Sequence, residues 1–250
     1  MTKISEVIAR LEQIIEWARA NESPLGYFAA VYLKMTFAVR DAIERGDFEN
    51  GSRMEQMDVV FARRYLDAFD AWQAGKMPTQ AWRTAFEAAQ DTSLTVMQHI
   101  LLGINAHINL DLGIAAAAVR QRDAIYGMRR DFEHVNDIIA SLVDDTQDRL
   151  AAIWLPFRWL DQLLRTEDEG WINFSICAAR SAAWQAALQL AFAPDQSAEQ
   201  RIIQDLDRFV SSFAERVRRP PFFLLRWVMR LMRRWESGSV REKIGVLEKP

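Results

Sequence analysis

Two histidines and an aspartate stand at helical spacing within an aliphatic stretch of the chain. His107 follows His99 by eight residues and precedes Asp111 by four. On an α-helix each step of four residues turns a side chain by about 40°, so the three would share one slowly drifting stripe. The residues between them are mostly aliphatic, which predicts a buried helix whose polar groups need partners. Asn105 and Asn109 form a second polar pair there and are predicted ligand-binding residues.

The third histidine of the chain, His134, lies in a segment that also contains Asp131 and Asp137. The connection at residues 123–130 is short, which predicts that the two histidine-bearing helices pack antiparallel. Neutral imidazole and carboxylate groups suit zinc, iron or manganese. The leading hypothesis is therefore a divalent metal site in a hydrolase-like enzyme, with these predicted ligands: His99, His107, Asp111 and His134.

Three carboxylates are the predicted catalytic groups of such a site. Asp131, Asp137 or Asp58 would orient a ligand or act as general base toward a metal-activated water. Asp131 and His134 also have the i, i+3 spacing by which helix bundles place a carboxylate and an imidazole on one metal. The ligand itself would be a small molecule whose identity the sequence does not specify.

The same residues also fit a purely structural hydrogen-bond network in a non-enzymatic scaffold or binding protein. Their spacing is not an established metal motif such as His-Glu-x-x-His. The chain also has no phosphate loop, dinucleotide fingerprint or Gly-x-Ser-x-Gly elbow. Cys177 is the only cysteine, which excludes an internal disulfide and any cysteine-based metal cluster. Both hypotheses remain open from the sequence.

Charged residues interrupt another helix that otherwise looks core-facing. Asp58 and Arg63 are predicted either to pair when buried or to line a pocket together with Tyr65. Arg63 and Tyr65 are therefore predicted ligand-binding residues. The simpler interpretation is a salt bridge between helices, with Arg64 solvated.

Composition and periodicity define the fold class. Apolar residues recur at intervals of three and four, glycines and prolines stand mostly where these segments end, and no strand-like alternation persists. We predict an all-α, single-domain bundle of about eight or nine helices over residues 1–236. Residues 131–166 are predicted to form one long helix or two, with a kink or a break at Pro156. Residues 237–250 are expected to form a flexible tail.

Charge and hydropathy narrow the function classes and the location. The net charge of −3 argues against general nucleic-acid binding. The chain starts without a signal-peptide pattern and has no uncharged apolar run of about 18 residues, so a cytoplasmic location is expected. The aromatic content permits a homodimer without requiring one.

The end of the chain differs in charge from the rest. Residues 201–250 carry 12 basic and 6 acidic residues. Within 216–236, arginines alternate with aliphatic and tryptophan residues, and a basic amphipathic helix is predicted at 222–236. Such a helix would dock on its own bundle or make a weak contact with a membrane surface or another protein.

Three stretches together resemble a bacterial protein family of unknown function. They are the stretch Gly26–Tyr32, the stretch Met54–Tyr65 and the motif Asn-Ala-His-Ile-Asn-x-Asp-Leu at Asn105–Leu112. The resemblance spans most of residues 20–190 and excludes the basic end at 216–250. It implies a helical fold and carries no reaction, substrate or catalytic role.

Overall fold

The computed structural model describes residues 3–138 and 176–248, and every regular element in that part of the chain is helical. Short 3₁₀ turns occur at Ala88–Gln90 and Arg122–Met128. The α-helices are α1 (Ile4–Ala20), α2 (Leu25–Arg45), α3 (Gly51–Gln73), α4 (Gln80–Glu87), α5 (Val96–Ile104), α6 (Gly113–Val119), α7 (129–138), α8 (Ile176–Ala191), α9 (Gln196–Arg218), α10 (Phe223–Trp235) and α11 (Val240–Glu248). The predicted all-α class is confirmed.

The central helix is continuous from Val96 to Val119, and its middle third is wound as a π-helix at Asn105–Leu112. A capping box starts it, in which Thr95 accepts from the Gln98 backbone N–H and the Gln98 side chain accepts from the Thr95 N–H. The helix has 24 residues and contains an 18-residue window with a mean hydropathy of 1.4, so by length and composition it could cross a membrane. Because 89% of that apolar window is buried inside the protein, it has the character of a core helix.

Neighbouring helices enclose the central helix, and small residues set how closely they approach. α2 packs on α5, α9 packs on the π segment, and α8 packs along the π segment and α6. Gly103 lies directly against the Phe28 ring of α2, where an added Cβ would come within 2.6 Å of Phe28 Cδ2. Gly113 lies against the α8 backbone, where an added Cβ would be 2.8 Å from the Ala183 carbonyl oxygen. A larger residue at either position would push the helices apart.

The helix predicted at 222–236 agrees with α10 to within one residue at each end. Capping side chains mark the starts of two other helices. The Asn50 side chain accepts from the Arg53 N–H at the start of α3, and Thr95 caps α5. Most of the predicted helical segment 131–166, including its kink or break at Pro156, lies outside the described residues.

The prediction of a flexible tail at 237–250 was wrong. Residues Val240–Glu248 form α11, which packs against α1 and α2. Ile244 and Leu247 are buried there and belong to the main apolar cluster. α11 also raises the number of helices in the described ranges above the eight or nine that were expected.

The close approach of Gly103 and Phe28 can be tested by Gly103→Ala. The added methyl group must displace either the aromatic ring or the helix, so we expect the free energy of unfolding in urea to fall by about 1–3 kcal/mol. Gly245→Ala in α11 is the matched control, since nothing lies within 4 Å of the added Cβ. We expect that variant to gain about 0.4–1 kcal/mol. Equal responses of the two variants would contradict the close packing.

Candidate ligand-binding site

Asp111, in the π segment, is a fully buried carboxylate with strong partners. It accepts a hydrogen bond from Arg64 Nε at 2.7 Å and one from Trp82 Nε1 at 2.7 Å. A buried carboxylate needs such donors because ionised groups are costly to remove from water. The prediction that Arg64 is solvated was wrong: Arg64 forms this ion pair. Its neighbour Arg63 is the exposed arginine of α3.

His107 lies four residues before Asp111 in the π segment. It is buried, and it has no hydrogen bond within the described residues. Its Nδ1 is 3.5 Å from Asp111 Oδ2, beyond the usual range, and neither ring nitrogen has a hydrogen-bond partner among the described residues. The ring stacks on Phe61, with centroids 3.6 Å apart and planes at 9°. Burial lowers the pKa of His107, against the opposing effect of Asp111. The imidazole is therefore neutral near pH 7.

Asp58, one turn before Phe61 in α3, has its carboxyl group turned inward. The residue keeps some exposed surface, but its Oδ2 is out of contact with solvent and has no hydrogen-bond partner in the described ranges. Burial, with a smaller contribution from Glu55, raises the pKa of Asp58 to about 7. Near neutral pH this carboxyl group therefore exists in both its protonated and ionised forms.

Tyr32 of α2 supplies a third buried polar atom. Its hydroxyl group is enclosed and has no hydrogen-bond partner among the residues described. Its ring meets the His107 ring edge-on, with centroids 4.4 Å apart. Burial raises the pKa of Tyr32 well above its usual value, so the hydroxyl keeps its proton and can donate.

These three side chains line one cavity of about 60 Å³ between α2, α3 and the π segment. Val135 of α7 and Arg180 of α8 also reach it. The Arg180 guanidinium donates to the Phe132 carbonyl oxygen at 2.6 Å and to Asn136 Oδ1, so neighbouring groups hold it in place. The remaining wall is mainly apolar and consists of Phe28, Val31, Met35, Thr36, Val39, Met54, Met57, Phe61, Ile104, Ile108 and Leu112.

Two of the three histidines lie away from this cavity. His99 is buried beside Tyr27, with ring centroids 6.0 Å apart. Burial lowers its pKa to about 4, so it is neutral near pH 7. His134 is partly exposed at the surface of α7, where its Nδ1 is 3.2 Å from Asp137 Oδ2. α7 borders the cavity through Val135, one residue further along.

Asp131 of α7, a predicted catalytic residue, contacts the N-terminus of α3. Its carboxylate accepts from the backbone N–H groups of Glu49 and Asn50, at 2.7 and 3.2 Å, and from Arg53 at 2.7 Å. These donors satisfy the carboxylate and fix α7 to the N-terminus of α3. Asp137 is exposed beside His134, so neither of these two carboxylates reaches the cavity.

The predicted ligand-binding residues are likewise placed around the cavity and not in its lining. Asn109 donates to Asn105 Oδ1 at 2.9 Å, and Asn105 donates to the Val210 carbonyl oxygen at 3.0 Å, which joins the π segment to α9. Tyr65 is buried in an aromatic cluster with Phe28, 5.1 Å between centroids. Of the predicted site residues, only Asp58 and His107 face the cavity.

The four predicted metal ligands do not form one cluster. Within residues 3–138 and 176–248, no group of three or more His, Cys, Asp or Glu side chains is arranged to hold a metal ion. The reason is geometric: His134 turns outward, His99 lies two turns of helix away from His107, and Asp111 is occupied by Arg64 and Trp82. The sequence also did not identify Tyr32 as a site residue. Its position in an aromatic-rich helix was the only signal.

The fold and the cavity define an all-helical protein with unpaired polar side chains around an apolar pocket. The chain belongs to the family of unknown function DUF5995, whose model matches residues 4–220. This confirms the resemblance to an uncharacterised family and extends it beyond 20–190. Comparison with curated proteins and with solved structures gives no match.

The raised pKa of Asp58 predicts how stability depends on pH. The folded state binds the carboxyl proton more tightly than the unfolded state, so ionisation destabilises the fold as pH rises from about 4 to about 7. Above pH 7 the loss in the free energy of unfolding is constant. It is roughly 4 kcal/mol, because the Asp58 pKa is raised by about three units. Asp58→Asn removes the titration, so its stability relative to wild type should rise over this pH range in urea unfolding.

Asp67→Asn is the matched control for this pH dependence, because Asp67 is exposed on the same helix. We expect its stability to follow that of the wild type at every pH. If Asp58→Asn also follows the wild type between about pH 4 and 8, the carboxyl group is not buried in the manner described.

Proposed function

We propose that the protein binds a small, mainly apolar molecule carrying a hydroxyl or amino group in the cavity lined by Asp58, His107 and Tyr32. The observation that supports this is the convergence on one mainly apolar cavity of three buried polar groups that have no hydrogen-bond partner within the described residues. Each such group costs about 1–3 kcal/mol when its hydrogen bond is unmade. A ligand that supplies the missing hydrogen bonds would recover part of that free energy.

The polar groups favour a ligand that donates hydrogen bonds. Neutral His107 has one ring nitrogen able to accept, and the Asp58 carboxylate accepts when ionised. The Tyr32 hydroxyl can accept or donate. A carboxylate ligand would meet Asp58 at close range, and Arg180 already donates to Phe132 and Asn136. A hydroxyl or amino group therefore fits better than an acidic one.

The size and lining of the cavity limit the apolar part of the ligand. A volume of about 60 Å³ admits a small branched group. Met35, Met54 and Met57 line it, and methionine side chains adapt their shape to irregular neighbours. The pocket can therefore widen by rearranging these side chains without moving a helix.

Ligand binding can be measured by thermal unfolding with three isosteric probes: isoamyl alcohol, isoamylamine and isovalerate. We expect the alcohol or the amine to raise the melting temperature and isovalerate to have little effect, since a ligand at about ten times its Kd stabilises by about 1.4 kcal/mol. Asp58→Asn should abolish the stabilisation, and Asp67→Asn should retain it. Equal shifts with all three probes, or shifts that persist in Asp58→Asn, would overturn the proposal.

A second function, a metal-dependent enzyme, is favoured by one observation. Asp58 and His107 both face the cavity, and in the described part of the chain one carboxyl oxygen and both ring nitrogens have no hydrogen-bond partner. Carboxylate and imidazole groups both ligate zinc, iron and manganese. In this function the ion would activate water and the nearby side chains would orient the substrate. The described residues supply two of the three protein ligands that catalytic metal sites commonly use.

Elemental analysis of the untagged protein and of His107→Leu separates the two functions. The ligand-binding proposal predicts no stoichiometric metal in either protein. It also predicts an unfolding free energy for His107→Leu within about 1.5 kcal/mol of wild type, because no hydrogen bond of the imidazole is lost. Near-stoichiometric zinc, iron or manganese that disappears in His107→Leu would establish the metal site instead.

A further inference from the structure

The solvent-facing side of α10 combines large apolar residues with arginines. Phe223 is 74% exposed and Trp227 is 53% exposed, although side chains of this size are normally buried. Phe222, Leu224 and Trp235 are also exposed, at 47%, 54% and 58%. Five of the exposed large hydrophobic residues in the described chain therefore lie within one short segment, Phe222–Trp235. We refer to this segment's exposed side as the α10 surface.

The amphipathic helix predicted at 222–236 buries only some of its apolar residues. Leu225 and Met232, seven residues apart, are the buried positions by which the helix docks. Phe223, Trp227, Arg230 and Arg234 follow at steps of four, three and four, so they lie together on the opposite side. The predicted separation of apolar and basic faces is thus incomplete. Aromatic and basic side chains share the surface that faces solvent.

The α10 surface is positively charged. Arg226, Arg230 and Arg234 are exposed, and no acidic side chain of the described ranges pairs with them. The fourth arginine of the helix, Arg233, donates to the Thr92 carbonyl oxygen at 3.0 Å. The first acidic residue after the helix, Glu236, is buried and accepts from the Val96 N–H at 2.9 Å.

The anchoring of α10 holds the α10 surface in a fixed orientation. Glu236 joins the end of α10 to the first turn of the central helix, and Lys243 lies 3.6 Å from the same carboxylate. Arg233 joins the helix to the loop before α5. Trp227, Arg230 and Arg234 line a groove beside Ser93 of that loop. The aromatic and basic groups are therefore presented by a docked helix.

We propose that the α10 surface binds the interface of an anionic lipid bilayer. Phe223 and Trp227 would enter the headgroup region, where amphipathic aromatic rings are stable. Arg226, Arg230 and Arg234 would contact lipid phosphates, to which guanidinium groups donate in a bidentate manner. Complementary charge selects a negatively charged bilayer over an uncharged one. This inference is independent of the cavity.

Vesicle flotation of the full chain tests the proposal. We expect binding to vesicles of phosphatidylcholine with about one third phosphatidylglycerol, little binding to pure phosphatidylcholine vesicles, and a decrease with salt. Phe223→Ser with Trp227→Ser should reduce binding at least tenfold, since both apolar contacts are lost. Each single substitution among Arg226→Gln, Arg230→Gln and Arg234→Gln should weaken it by about fivefold.

Phe209→Ser is the matched control, because Phe209 is 70% exposed on α9, outside the α10 surface. It should leave flotation unchanged. All the substituted side chains are exposed, so circular dichroism and thermal unfolding should match the wild type. Equal binding to both kinds of vesicle, or an equal effect of Phe209→Ser and the α10 variants, would overturn the proposal. So would the absence of flotation in the wild type.

Discussion

The buried ion pair between Asp111 and Arg64 is the constraint on which the centre of the molecule depends. A carboxylate with no solvent exposure can persist only if donors surround it, and here they come from α3 and α4. These two contacts therefore fix α3 and α4 relative to the π segment. Because both Asp111 oxygens accept from Arg64 and Trp82, the His107 imidazole has no hydrogen bond within the described residues and lines the cavity with both nitrogens unpaired there.

The π-helical winding of the central helix contains Asp111 of this ion pair. π-helical turns are uncommon and often occur at functional sites. Here the turn includes both His107 and Asp111, and Asn105 fastens it to α9. Gly103 and Gly113 stand just outside its two ends and let α2 and α8 approach closely. The segment is thus held by packing at both ends and by polar contacts in the middle, which gives the cavity wall a defined shape.

The sequence predicted the helices well because their apolar periodicity is a local property. It predicted the pairing of side chains poorly, because pairing depends on rotations of about 100° per residue. Arg63 and Arg64 illustrate this: both are arginines, and one step along the helix decides which of them pairs with the buried Asp111. On α7, likewise, Val135 lines the cavity and its neighbour His134 lies at the surface. The π winding left no periodic signal, and the apolar stripe of α11 is short, with only Val240, Ile244 and Leu247 at helical spacing. Asp58 was recognisable as a charge in an apolar helix.

The contact of Glu236 with Val96 joins the residues beyond the family match to the central helix. The family match ends at residue 220, yet a carboxylate from beyond it satisfies the first N–H of the central helix. Ile244, also beyond the match, packs where Gly26 leaves room between α1 and α2. The C-terminal segment is therefore structurally integral and not an appendage. A chain shortened after residue 220 would leave the Val96 N–H without this acceptor and would uncover the apolar surface against which Ile244 packs, so the matched region does not include every residue that completes the core.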